Sequence, residues 1–150
     1  MSDLKRISNN NRRHQTQWAA QFAVASELCK RGYEVSFTLG NNTPLADLMV
    51  VSPQEHQMFL IDIKGLSYKN YWQIKRQQTQ TDLYYILALV QKDMDNKFFV
   101  LTQEEVNKNI TAEFERLPPE KKLLGEAVNR LGMRWGDAVK FENRWEILPA

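Results

Sequence analysis

The sequence predicts an α/β domain: an N-terminal helix packed on a central mixed sheet of about five strands, followed by C-terminal helices. Three observations carry that prediction. A helical apolar repeat fills residues 13–31, and five apolar segments follow at 33–39, 45–51, 57–64, 82–91 and 97–102. After residue 103 the chain returns to charged, helix-like sequence. At 150 residues, 43% hydrophobic and 25% charged, it has room for one core, so residues 1–150 are expected to form a single domain. Its core would span about 13–102, with 103–150 as a helical extension.

Each element has its own signal. In the first helix Trp18, Phe22, Ala25 and Cys29 recur at i, i+4, i+7 and i+11, and are expected to form the buried stripe. Asparagines ahead of it can cap its start, and Gly32 can end it in the left-handed conformation. Tyr33, Val35, Phe37 and Leu39 then alternate with Glu34, Ser36 and Thr38, as in a half-buried strand, and Gly40-Asn41-Asn42 supplies a turn. The strands at 45–51 and 57–64 are joined only by residues 52–56, which requires an antiparallel hairpin. Residues 65–80 are polar and basic, with Tyr71-Trp72-Gln73-Ile74 as a short strand; no helix is evident there. Residues 82–91 and 97–102 read as buried strands around a turn at 93–96. A helix over 103–117 is broken by Pro118-Pro119, and another is expected over 120–131.

Composition excludes several classes. No apolar run reaches the length of a membrane span, and the first residues contain no apolar signal-peptide core, so a cytoplasmic protein with no membrane partner is expected. The single cysteine, Cys29, excludes an internal disulfide and a cysteine zinc site, and its place on the apolar stripe makes it a small buried hydrophobe. His14 and His56 stand far apart in sequence and read as surface residues. The net charge of +2 hides two basic stretches. Residues 1–17 carry Lys5, Arg6, Arg12 and Arg13 against Asp3 alone, and residues 64–78 carry Lys64, Lys69, Lys75 and Arg76 with no acid. Such patches are the footprint of a phosphate-backbone binder, or else a solvated face and a basic tail.

The informative residues are acids inside apolar strands. Asp47 interrupts the run from Leu45 to Val51, and Asp62 interrupts Phe59–Ile63. Aspartate is a poor strand residue, and burying a carboxylate costs several kcal/mol unless something compensates it. With a period of two, Asp62 and Lys64 project from one face and Ile63 from the other. A register pairing 47 with 62 would set the two carboxylates about 4.5–5.5 Å apart at Cβ. A one-residue slip would send Asp47 to the opposite face. Two like charges so close repel, and a divalent cation with a taste for hard oxygen ligands removes the conflict.

A helix with an internal Glu27, a strand, Pro44-Leu45-Ala46-Asp47 and then Asp62-Ile63-Lys64, fifteen residues from acid to acid, resembles the PD-(D/E)xK nuclease superfamily. The resemblance covers about residues 13–102 and implies a restriction-endonuclease-like core, the fold that Holliday-junction resolvases share. It implies that Asp47, Asp62 and the Ile63 carbonyl bind Mg²⁺, with Mn²⁺ able to substitute, and that Lys64 positions or helps deprotonate the attacking water. It also makes Glu27 a candidate member of the site. On the helix Glu27 lies opposite the Trp18/Phe22/Cys29 stripe, which by itself puts it in solvent. Thr16, Ala20 and Ala23 lie near it, however, and this second face of small residues would let the helix hold Glu27 over the strands.

The expected function is therefore a metal-dependent nuclease acting on nucleic acid, DNA first. The alternative is a non-catalytic nucleic-acid-binding or protein-assembly module on the same fold. Expected phosphate contacts are Arg12, Arg13, Lys69, Lys75 and Arg76; Trp72, with Tyr71, either stacks on a base or closes the core. Gln73 and Gln77 are candidates for a polar helper beside the site, or ordinary surface residues. A homodimer would supply the second cut on duplex DNA.

Overall fold

The computed structural model describes residues 2–38, 46–123 and 131–150. The chain opens with α1 (Ser2–Lys30), a longer helix than the apolar repeat alone marks out. Three strands follow: β1 (Glu34–Phe37), β2 (Leu48–Val51) and β3 (Met58–Leu66). After β4 (Tyr71–Gln73) come β5 (Leu83–Leu89), β6 (Lys97–Thr102) and α2 (Gln103–Glu115). The C-terminal part holds α3 (Pro119–Lys122), β7 (Gly132–Arg134), α4 (Trp135–Ala138) and two short 3₁₀ turns, Val139–Phe141 and Trp145–Ile147.

The main sheet has five strands in the order β1-β2-β3-β5-β6. β1, β2 and β3 are successive antiparallel neighbours, β3 and β5 run parallel, and β5 and β6 are antiparallel, so the sheet is mixed as expected. β3 and β5 read as nearly continuous apolar runs because both faces of the sheet are covered. On one face α1 lays Ala20, Val24, Ala25 and Leu28 over Phe59, Ile61, Ile63 and Ile86, and Trp145 and Leu148 complete the layer. On the other, Val106 and Ile110 of α2 pack with Trp72, Tyr85, Leu87, Phe99 and Met133. Thr102 and Glu105 form a reciprocal capping box that fixes the start of α2.

The buried stripe of α1 is not the aromatic one. Ala20, Val24 and Leu28, at i, i+4 and i+8, are fully buried, whereas Trp18 and Phe22 are 53% and 58% exposed and Cys29 lies in solvent. The reason is close approach. A Cβ built on Gly65 would stand 2.7 Å from the Ala20 Cβ and 3.1 Å from the Thr16 carbonyl oxygen, so only a face of small side chains can sit down on β3. Of the two alternatives for the small-residue face, close packing on the sheet is the one observed.

Residues 65–80 hold no helix. β4 pairs instead with β7 in a separate antiparallel two-stranded sheet, with Trp72 opposite Met133. β7 was not anticipated; it begins just after the segment expected to be helical over 120–131, of which 120–123 and Leu131 are described and 124–130 lie outside the described residues. The turn at Gly40–Asn42 and the start of the second strand at Leu45 also lie outside them. Among the described residues, no helix is long and apolar enough to cross a membrane.

Candidate active site

The site arises where β2 ends and β3 continues. The β2–β3 ladder runs from Val51↔Met58 to Leu48↔Ile61, and the Asp47 N–H closes it by donating to the Ile61 carbonyl at 2.9 Å. Continuing that register by one residue sets Asp47 opposite Asp62, the arrangement that the spacing of the two acids allows. β3 remains paired with β5 as far as Leu66, and from Asp62 onward its other edge has no strand partner among the described residues. Unpaired strand groups need partners.

Side chains supply them. Asp47 Oδ2 accepts the Ile63 N–H at 2.7 Å. Gln17, from α1, spans the next two groups: its Nε2 donates to the Ile63 carbonyl at 2.8 Å and its Oε1 accepts the Gly65 N–H at 3.2 Å. A single amide thus imitates one rung of a neighbouring strand. Gln21, one turn along α1, donates to Asp47 Oδ1 at 3.2 Å. These two glutamines were not among the sequence candidates. Their signal was a pair of amides at i, i+4 flanking Ala20, the residue that touches Gly65.

Asp62 and Lys64 project together, as the period of the strand requires, and pair at 2.8 Å between Oδ1 and Nζ. Asp62 is 8% exposed, while Ile63 points into the core beneath α1. Burial pushes the Asp62 carboxyl above the usual carboxylate range, the Lys64 ammonium draws it back, and the neighbouring Asp47 charge pushes it further up. Burial raises Asp47 as well, opposed by the Ile63 N–H and by Lys64. Asp62 thus senses both Lys64 and Asp47, and Asp47 senses Lys64: two carboxylates and one ammonium share a partly desolvated corner. Across the parallel register Tyr85 faces Asp62, and its hydroxyl is raised by burial first and by the Asp62 charge second.

The donor set is all oxygen and carries an excess of negative charge, which suits a hard divalent cation. Among the described residues no group of three or more His, Cys, Asp or Glu side chains could hold a metal. A cation here would therefore rest on two carboxylates, with the Ile63 carbonyl as a neutral ligand.

Glu27 stands elsewhere. It is ion-paired with Arg31 at 3.0 Å and Lys30 at 3.9 Å, and lies about 9 Å beyond Gln21 along the helix axis. It lines an open cleft with Tyr33, Pro53 and Trp145. The helix position that reaches Asp47 belongs to Gln21.

Trp72 does not present a stacking surface: it is 1% exposed, with its ring 5.9 Å from Trp135 and 5.4 Å from Phe99. The nucleic-acid role anticipated for it gives way to a core role, because β7 closes over β4. Tyr71 donates its hydroxyl to Glu113 at 2.7 Å and so ties β4 to α2. Lys69 lies over the Trp135 ring at 5.0 Å. Lys75 and Arg76 are exposed on the segment leading to β5, which Gln103 and Asn107 of α2 hold through the Gln78 and Gln77 carbonyls. Arg12 and Arg13 are exposed on the N-terminal half of α1, and His14 and His56 are exposed as well.

No family model matches the chain, and no curated protein or solved structure matches it.

Proposed function

We propose that the protein is a metal-dependent nuclease with a restriction-endonuclease-like core, hydrolysing phosphodiester bonds in DNA. The observation that carries this reading is the meeting of Asp47, Asp62 and Lys64 where β2 stops and β3 runs on, with both carboxylates destabilised by burial. A structural ion pair needs one acid for one lysine. It does not call for a second, half-buried acid set beside the first, and carboxylates perturbed by burial next to a lysine favour a functional site.

Asp47 and Asp62 would hold Mg²⁺ or Mn²⁺, which when bound supplies a nucleophile at neutral pH and neutralises charge on the scissile phosphate. The protein's own groups do the rest. Asp47 is aimed by Gln21 and by the Ile63 N–H, so its carboxylate is oriented before anything binds. Gln17 locks the β3 backbone on either side of Lys64. The Lys64 ammonium, half-buried against Asp62, orients the attacking water or stabilises charge on the phosphate as the bond breaks. The exposed cations on α1 and on the segment before β5 contribute phosphate contacts outside the reacting centre.

The test is cleavage of labelled single-stranded, duplex and branched DNA, and of RNA, with Mg²⁺, with Mn²⁺ and with chelator. The reading expects metal-dependent products that Asp62→Ala and Lys64→Ala each reduce at least 100-fold, the scale typical of a lost catalytic group. A folded wild type that cuts none of these substrates with either metal refutes it. Salt-sensitive binding that survives Asp62→Ala without any cleavage would instead favour a non-catalytic binding module.

A further inference from the structure

Two large aromatic side chains stand in solvent on the same helix that supplies Gln17 and Gln21. Trp18 and Phe22 are 53% and 58% exposed, their rings stacked at 5.5 Å and 25°. Phe37, on the edge strand β1 and 40% exposed, meets Phe22 edge-on at 5.5 Å. Only Phe22 touches the sheet, at its β1 edge, and both rings lie off the face that α1 buries through Ala20, Val24 and Leu28. Each aromatic follows directly on a site glutamine in sequence: Trp18 after Gln17, Phe22 after Gln21.

The charge around them identifies what they meet. From residue 4 to residue 26 the chain carries Lys5, Arg6, Arg12 and Arg13 and no acid, so the exposed aromatics sit on a cationic helix. A polyanion with flat, apolar side groups satisfies both features, with phosphates for the cations and ring faces for the aromatics. In duplex DNA those ring faces are stacked on one another and out of reach; in an unpaired strand they are free.

We propose that Trp18 and Phe22, backed by Phe37, form a stacking platform for unpaired bases, which delivers single-stranded nucleic acid to the Asp47–Asp62–Lys64 corner. This deepens the nuclease reading and rests on it for the identity of the neighbouring site. It makes the preferred substrate a single strand, or the unpaired part of a branched or flapped one.

The experiment measures binding and cutting separately. Anisotropy of a labelled oligothymidine and of a duplex of equal length is recorded in chelator, where nothing is cut. The single strand should bind more tightly than the duplex. Combining Trp18→Ala with Phe22→Ala should weaken single-strand binding about tenfold or more, the scale of one lost base stack. Trp18→Phe, which keeps a ring, should retain most of the affinity. Both aromatics are solvent-exposed, so circular dichroism should show the variants folded.

Unchanged affinity in the double alanine variant overturns the proposal, as does equal binding of duplex. So does a wild-type dimer that the double variant converts to monomer, or a tryptophan emission shift with phosphatidylserine vesicles and none with oligonucleotide. Failure of the underlying nuclease reading looks different. In that case the wild type binds single strands through Trp18 and never cuts them. A wild type that cuts while the double variant binds normally refutes the platform alone.

Discussion

Asp62 occupies a position where a carboxylate is unwelcome, 8% exposed on a strand whose neighbours are isoleucine and tyrosine. Burial lifts it, and Asp47 beside it, above the ordinary carboxylate range. Between the unfolded and folded values of these groups, the folded protein holds protons that the unfolded chain has released. Stability therefore falls as pH rises through that window. Asp62→Asn removes the penalty on the ionised form. It should melt higher than wild type at neutral pH, with the advantage shrinking as pH is lowered below the window; thermal melts from pH 4 to pH 8 check this. The same variant should lose metal-dependent cleavage. Gln17 gives a second residue-scale prediction. Gln17→Ala leaves the Ile63 carbonyl and the Gly65 N–H without their partner. The cost should be about 1–3 kcal/mol of unfolding free energy, measured by urea titration.

Among the elements, the contact between α1 and β3 positions the site. Gly65→Ala would drive a methyl group to 2.7 Å from the Ala20 Cβ and lift the helix from the strand. The expected loss is about 1–3 kcal/mol of stability, with a larger fractional loss of cleavage because Gln17 and Gln21 retreat with α1. The β4–β7 pair makes a separate prediction through Trp72, whose indole N–H has no hydrogen-bond partner among the described residues. Trp72→Phe should therefore cost far less than Trp72→Ala, for which about 3–5 kcal/mol is expected; denaturant midpoints distinguish them. The hairpin of β2 and β3 and its acids could be read from sequence because an aspartate in an apolar strand breaks a simple pattern. The phase of α1 could not, because the aromatic stripe carries more hydrophobicity than the alanine stripe, and only the proximity of Gly65 decides between them. That misreading placed Cys29 in the core and kept Glu27 as a candidate where Gln21 stands. β7 escaped notice because three residues cannot display a period of two, and its partner β4 lies far away in sequence.

Over the whole molecule, the near-neutral charge is the sum of unlike regions. The exposed cations lie on α1 and after β4, whereas acids of α2 are drawn into internal contacts, Glu105 with Arg144 and Glu113 with Arg134. Nucleic-acid affinity should accordingly fall steeply with salt, and Arg12→Ala with Arg13→Ala should flatten that slope without changing the Asp62-dependent chemistry. The central claim, that one corner of the sheet holds a divalent cation for phosphodiester hydrolysis, is tested most directly by anomalous diffraction from crystals soaked in Mn²⁺. The account predicts one strong manganese peak in contact with the carboxylates of both Asp47 and Asp62, and no such peak in Asp62→Ala. At saturating Mn²⁺, a corner without manganese, with Asp47 still bonded to Gln21 and Asp62 still paired with Lys64, would contradict it.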